Sequence, residues 1–308
     1  MTLEELTQGK VKRHKGGKFL FVEKRLEDLP SQPIRDYVLK NRTRLFDDSL
    51  ASKFPELRNV PRERMLFWDT ENCGLGNHDC VFLIGTAQLI GKREIVLRSF
   101  FARDYSEEKA IITFFLDMAK NFQAFFTYRG KYFDLPRLKE RVINNGLQED
   151  YKNKLTHLTK NHVDLYPLAR KTFSLPDGEL STLEESILHY VRVEDLSGSE
   201  IPQAYFEYVY GRERVERYQM TNNHLYNLCR KEAKNHLLTM DALLKEDDPR
   251  ITLLAKDFYD RGRGRYKTSF KPGKQIDLQE AERNMQRAIY HNFDDNIATP
   301  ALLIKLCS

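Results

Sequence analysis

A chain of 308 residues is long enough for one full core of about 150 to 200 residues and an accessory segment besides. With 41% hydrophobic and 31% charged residues it is too apolar for a disordered chain and too polar for a membrane protein, and it has no run of roughly 18 or more apolar residues. The net charge of +5 is modest, but Lys and Arg cluster at Lys10 to Lys18, Arg129 to Lys139 and Arg261 to Lys274, which suits a polyanionic partner as well as it suits a solvated face.

In chain order, residues 1 to 63 read as an N-terminal extension. A short apolar run, Lys18 to Glu23, reads as an edge strand, and prolines at 30, 33, 55 and 61 punctuate a polar stretch with a helical patch around Ile34 to Leu45. From Met65 the pattern changes. Met65-Leu66-Phe67-Trp68, Cys80 to Ile90 and Glu94 to Ala102 are three β-rich runs, the last two joined across Gly91-Lys92-Arg93 as a hairpin.

Ser106 is placed to cap a helix carrying Ile111, Phe114, Phe115 and Met118 at helical spacing. Ala124 to Tyr128 follows as a fourth strand, Leu135 to Asn145 as a helix closed by Gly146, and His162 to Leu165 as a fifth strand. Ser181 with Glu184 has the spacing of a capping box, and a long helical region is expected from Arg212 to Lys245. After a Gly/Arg-rich connection, Leu278 to His291 sets Ala281, Met285, Ala288 and Ile289 on one helical face, which reads as a remnant of a helical repeat. Strand, strand, strand, helix, strand, helix, strand is an α/β layout with a mixed sheet, three antiparallel strands and then parallel ones. The expected division is 1–63, a main domain at 64–247, and a basic linker with a helical C-terminal segment at 248–308 that offers a surface for a protein partner.

Candidate chemistry lies at strand ends. Asp69 and Glu71, two residues apart, project from one side of an extended chain, and two carboxylates held so suit a hard divalent cation. A solvated strand end is the plainer reading. Asp134 follows the fourth strand and its basic turn; alone it reads as a helix cap before Pro136, but strand ends meeting at one sheet edge form the usual site of an open α/β sheet. Cys73, His78 and Cys80 offer soft ligands at a spacing that matches no zinc module. Four cysteines make no disulfide framework and the first residues hold no apolar signal, so a reducing, cytoplasmic setting is expected.

The ordered set of motifs resembles the YprB-like ribonuclease H-like proteins of the DEDD exonuclease superfamily, over roughly residues 65 to 245. It comprises Phe67-Trp68-Asp69-Thr70-Glu71-Asn72-Cys73-Gly74-Leu75, Phe82-Leu83-Ile84-Gly85, Ser106-Glu107-Glu108-Lys109-Ala110, Tyr128-Arg129-Gly130-Lys131-Tyr132-Phe133-Asp134-Leu135-Pro136, His162-Val163-Asp164-Leu165 and Leu180-Ser181-Thr182-Leu183-Glu184. The resemblance implies a ribonuclease H-like fold and a metal-dependent nuclease. Two Mg²⁺ or Mn²⁺ ions would be held by Asp69, Glu71 and Asp134, and single-stranded DNA or RNA would be hydrolysed in the 3′ to 5′ direction. Thr70, Tyr128, Arg129, Lys131 and Tyr132 are expected to meet the nucleic acid.

The family's last motif, His-Asn-x-x-Asp before an apolar helix, finds its best-placed match at Asn222-Asn223-His224-Leu225-Tyr226. There Tyr226 stands for the fourth metal-binding acid and Asn222 for the His, and neither Glu232 nor Asp241 has the expected Asn three residues before it. Arg129 replaces an Asn in the second motif. The sequence therefore leaves three readings open: a nuclease with a degenerate fourth ligand, a nucleic-acid-binding pseudo-nuclease, and an adaptor that docks a protein through its C-terminal helices.

Overall fold

The computed structural model describes residues 1–46, 52–74, 79–91, 94–193, 195–209 and 277–307. Among these residues seven strands form one sheet: β1 (Lys10–His14), β2 (Gly17–Arg25), β3 (Met65–Asn72), β4 (Val81–Ile90), β5 (Glu94–Phe101), β6 (Ala124–Thr127) and β7 (His162–Asp164), in the spatial order β1-β2-β5-β4-β3-β6-β7. Pairing is antiparallel from β1 across to β3 and parallel from β3 through β6 to β7. The mixed sheet is the expected one, with two strands more on the antiparallel side. The run at Lys18 to Glu23 is not an edge strand: β2 lies between β1 and β5, which explains why Phe19, Leu20 and Val22 are fully buried, and the Lys-rich β1 takes the edge instead.

The helices are α1 (Leu3–Thr7), α2 (Pro33–Asn41), α3 (Glu108–Ala119), α4 (Asp134–Asn144), α5 (Gln148–Lys160), α6 (Tyr166–Phe173), α7 (Leu180–Leu183), with a π-helical turn at Glu184–Leu188, helical residues at 201–209, and α8 (Leu278–Leu306). Asp104, not Ser106, starts the turn before α3, its side chain accepting from the Ser106 backbone N–H. The capping box expected of Ser181 and Glu184 does not form; α7 begins after Glu179 with no side-chain cap, and Glu184 is used elsewhere. The expected helix at 212–245 lies outside the described residues.

One face of the sheet carries α3 with α4 and α5, and the other carries α8 with α1 and α2. Helix α8 runs 29 residues, about 44 Å, and is capped by Asp277, whose side chain accepts from Gln279 and Glu280 N–H. Its Ala281, Met285, Ala288 and Ile289 are buried, and the helix packs on β3, β4 and β5 as a wall of the sheet's core. Both chain ends, in their described residues, share one hydrophobic core with the middle.

Glycine at position 85 permits the close approach. A Cβ there would lie 1.6 Å from Asn292 Oδ1 and 2.5 Å from Asn296 Nδ2. Among the described residues no helix is long and apolar enough to cross a membrane.

Candidate active site

Strand β3 delivers the first pair of acids. Asp69 pairs with Gly85 and Glu71 with Leu83 across β4, so both carboxylates leave the same face, and the ladder slips in register between Glu71 and Asn72, where the strand ends. The open space over Gly85 is filled by Asn292 of α8, whose Nδ2 donates to Asp69 Oδ2 at 2.9 Å.

Asp134 arrives through a braced turn. At the end of β6 the chain swings through Arg129, at φ +60°, and Asp164 ties the loop down: its Oδ1 accepts from the Arg129 and Tyr166 backbone N–H groups at 2.9 and 3.0 Å, its Oδ2 from Lys131 N–H at 3.1 Å. Asp164 is thus a structural anchor. Asp134 itself is buried at the first position of α4, and Oδ1 accepts from both the backbone N–H and the hydroxyl of Thr70, at 2.9 and 2.6 Å. It serves β3 before it serves the helix, and Thr70, expected at the nucleic acid, holds Asp134.

A further acid stands at the end of β3. Residues 222, 223 and 226, where the last motif was sought, lie outside the described residues. The string His291-Asn292-Phe293-Asp294-Asp295, which has the same His-Asn-x-x-Asp form, sits on α8 directly over the end of β3. Glu71, His291 and Asp295 bring one ligand atom each within 4.8 Å of one another, and each is only partly buried. Asp295 thus stands beside Glu71 without bearing on Tyr226, which lies outside the described residues.

Electrostatics bind Asp69 and Asp134 to this group. Burial, then the charges of Asp134, Asp295 and Glu71, push Asp69 well above the usual carboxylate range. Burial first, with Asp295 and Asp134 adding, raises Glu71 to about 8 against the opposing pull of His291 and Asn292. Asp134 rises to about 6, burial leading and Asp295 adding, with the Thr70 hydrogen bonds holding it down. Burial alone would lower His291; Asp295, the Asp195 hydrogen bond and Glu71 lift it to about 9. Three acids raised in this way are in want of positive charge, and carboxylate oxygens with one imidazole are a donor set for a hard divalent cation.

Around the mouth, Tyr132 is 64% and Phe133 47% exposed, and Lys131 is exposed beside them. Arg129 is not aimed at the acids: its Nη1 donates to Gly178 O and Glu179 Oε1, and its Cζ lies 4.8 Å over the Phe133 ring. Tyr128 packs edge-on against Tyr166, and burial pushes its hydroxyl up, so it is part of the wall. Cys73 and Cys80 are buried, free thiols whose backbones pair at 2.9 Å, and His78 lies outside the described residues.

A family model described as RNase_H superfamily matches residues 66–232, more than half of the chain and short of α8. The chain is also 28% identical over 173 residues to the uncharacterized protein YprB of Bacillus subtilis (strain 168), a stretch covering 55% of this chain and 40% of that relative. The chain therefore spans less than half of that relative's length in the shared part. With the mixed sheet, the acids at its edge and a family match over most of the strands that build them, this chain belongs to the RNase H superfamily.

Proposed function

We propose that the chain is a divalent-metal-dependent nuclease that hydrolyses phosphodiester bonds in single-stranded DNA or RNA from the 3′ end. The observation that carries this reading is the meeting of Glu71, His291 and Asp295 within 4.8 Å, with Asp69 and Asp134 coupled to them. Asp69, Glu71, Asp134 and Asp295 would hold Mg²⁺ or Mn²⁺. When bound, such ions supply the positive charge that polarises a phosphate, generates hydroxide from water near neutral pH and stabilises the leaving oxygen.

The chain's own groups do the rest. His291 Nδ1 donates to Asp195 Oδ2 at 2.6 Å with Nε2 3.4 Å from Asp295 Oδ2; the acids hold the ring protonated, and a bound cation would offset their charge and free Nε2 to take a proton from the attacking water. Asn292 and Thr70 fix the rotamers of Asp69 and Asp134 before any substrate arrives. Tyr132 and Phe133 offer exposed ring faces on which an unpaired base stacks, Arg129 braces the Phe133 ring, and Lys131 offers a phosphate contact. Stacking on a rim favours a single strand over a duplex, because paired bases do not present their faces. The pseudo-nuclease reading rests on a missing acid; Asp295 beside Glu71 and His291 supports the nuclease reading over it.

The test is cleavage of end-labelled single-stranded DNA and RNA with Mn²⁺, beside Asp69→Ala and Asp295→Ala variants. Cleavage lost in both variants supports the reading. Equal product from all three proteins, or none from the unaltered chain with Mn²⁺ bound, refutes it.

A further inference from the structure

The segment that follows the π-helical turn plays no part in the sheet, yet it reaches the acid cluster. Its side chains alternate: Val191 and Val193 are 66% and 83% exposed, while Tyr190 and Arg192 turn inward. Each inward group meets α8. The Tyr190 hydroxyl donates toward Asp294 Oδ2 at 3.3 Å, and Arg192 Nη2 donates to Asp295 Oδ1 at 2.5 Å. Further along, Asp195 accepts from His291.

A guanidinium on Asp295 admits two physical roles. It can compete with a cation for the carboxylate, or it can hold the carboxylate in place for one. Two features decide. Arg192 takes only Oδ1; Oδ2, the oxygen 3.4 Å from His291 Nε2, stays on the cluster side. Arg192 is also locked from behind, since Nε and Nη2 fork onto Glu184 Oε2 and Oε1 at 2.9 and 2.6 Å and Glu184 is almost wholly buried. A guanidinium that swung away would strand a buried carboxylate, so it is not a removable plug. The turn that carries Glu184 is π-helical, a local irregularity common where side chains serve a site.

We propose that Arg192, fixed by Glu184, is a positioning residue that holds Asp295 in its working rotamer, while Asp195 from the same segment holds His291. The inference rests on the nuclease reading above. It makes the Leu180-to-Asp195 segment a bracket for the catalytic helix, with Val191 and Val193 as its outer face.

The experiment compares the full chain with Arg192→Gln and Arg192→Lys variants in a calorimetric Mn²⁺ titration and in steady-state cleavage of a single-stranded oligonucleotide. Expected for Arg192→Gln are Mn²⁺ affinity at least ~10-fold weaker and kcat lower by a similar factor, with the oligonucleotide KM within about twofold, because an outer partner of a ligand acts on the metal and the chemistry and not on strand binding. Arg192→Lys keeps the charge without the fork and is expected to fall between. An Arg192→Gln protein that binds Mn²⁺ as tightly or more tightly and cuts as fast or faster overturns the proposal and makes Arg192 a competitor. If that variant does not fold, Arg192→Lys decides in the same way: weaker Mn²⁺ binding supports the proposal and unchanged binding overturns it. An unaltered chain that binds no Mn²⁺ and cuts nothing sinks the nuclease reading and this inference together; one that binds and cuts beside an indifferent variant sinks the inference alone.

Discussion

Two of the places where this molecule buries carboxylates are built oppositely. Glu108, at the start of α3, receives four donors: Val81 N–H at 2.8 Å and Arg141 Nε at 2.7 Å on Oε1, Arg141 Nη2 at 2.7 Å and Asn145 Nδ2 at 3.0 Å on Oε2. That site is closed. At the end of β3, Asp69, Glu71, Asp134 and Asp295 face Asn292, Thr70, His291 and Arg192, and three of the acids are pushed upward by burial and by one another. The first arrangement spends its charge on holding α3 to α4; the second keeps charge in reserve for something outside the chain. Buried acids alone do not mark a site; acids that raise one another at one strand end are the stronger signal of one.

The contrast can be broken by removing one carboxylate from each place. Glu108→Ala is expected to cost about 3–5 kcal/mol of stability in denaturant unfolding, since the buried Arg141 loses this carboxylate. Asp69→Asn is expected to reduce Mn²⁺-dependent cleavage by at least ~100-fold while leaving the melting temperature of the metal-free protein unchanged or higher, because it relieves repulsion. Similar losses of stability from both would erase the distinction.

A third substitution tests how the open site is assembled. Gly85→Ala puts a methyl group into the space of Asn292 Oδ1 and is expected to cost about 1–3 kcal/mol while also displacing Asp69's partner, so stability and cleavage fall together. Tyr132→Ala, at the rim, should leave stability within about 0.5 kcal/mol and weaken single-strand binding by about 1–3 kcal/mol, read as a raised KM.

The smallest effect is one of pH. Glu71 and Asp134 titrate in the folded chain near 8 and near 6, above their ordinary 4.5 and 3.8, and His291 near 9, above 6.5. Across that interval the folded chain binds more protons than the unfolded one. Their stabilisation is therefore complete below about pH 4 and is lost as pH rises toward 9. With chelator present, melting temperature should fall across this range, and Mn²⁺ should raise it more at pH 8 than at pH 5.

How much of this was legible in the residues follows the same division. Asp69, Glu71 and Asp134 stand in contiguous motifs on short strands, where period-two patterning and turn residues carry the signal. Helix α5 went unread because it buries only Tyr151 and Leu158, too few apolar positions to show a 3.6-residue period. His291 and Asp295 were missed for another reason. Their motif stands in the sequence in the expected form, followed by the apolar Ala298 to Leu303, but far beyond the expected spacing, and Asn222-Asn223 offered a nearer look-alike. Distance along the chain is a poor guide here, because the entropy of closing a loop grows only with the logarithm of its length. What remained as evidence was the inward face of Ala281, Met285, Ala288 and Ile289, which demanded a partner surface that only the sheet provides.

The late arrival of α8 has a consequence for synthesis. A nascent chain exposes Asp69, Glu71 and Asp134 on the ribosome long before His291 and Asp295 leave the exit tunnel. During that interval the sheet has neither its covering helix nor its last two chemical groups. On the nuclease reading proposed above, a chain that stalls or is clipped before residue 291 lacks two groups of its site, and competence comes only when the helix docks.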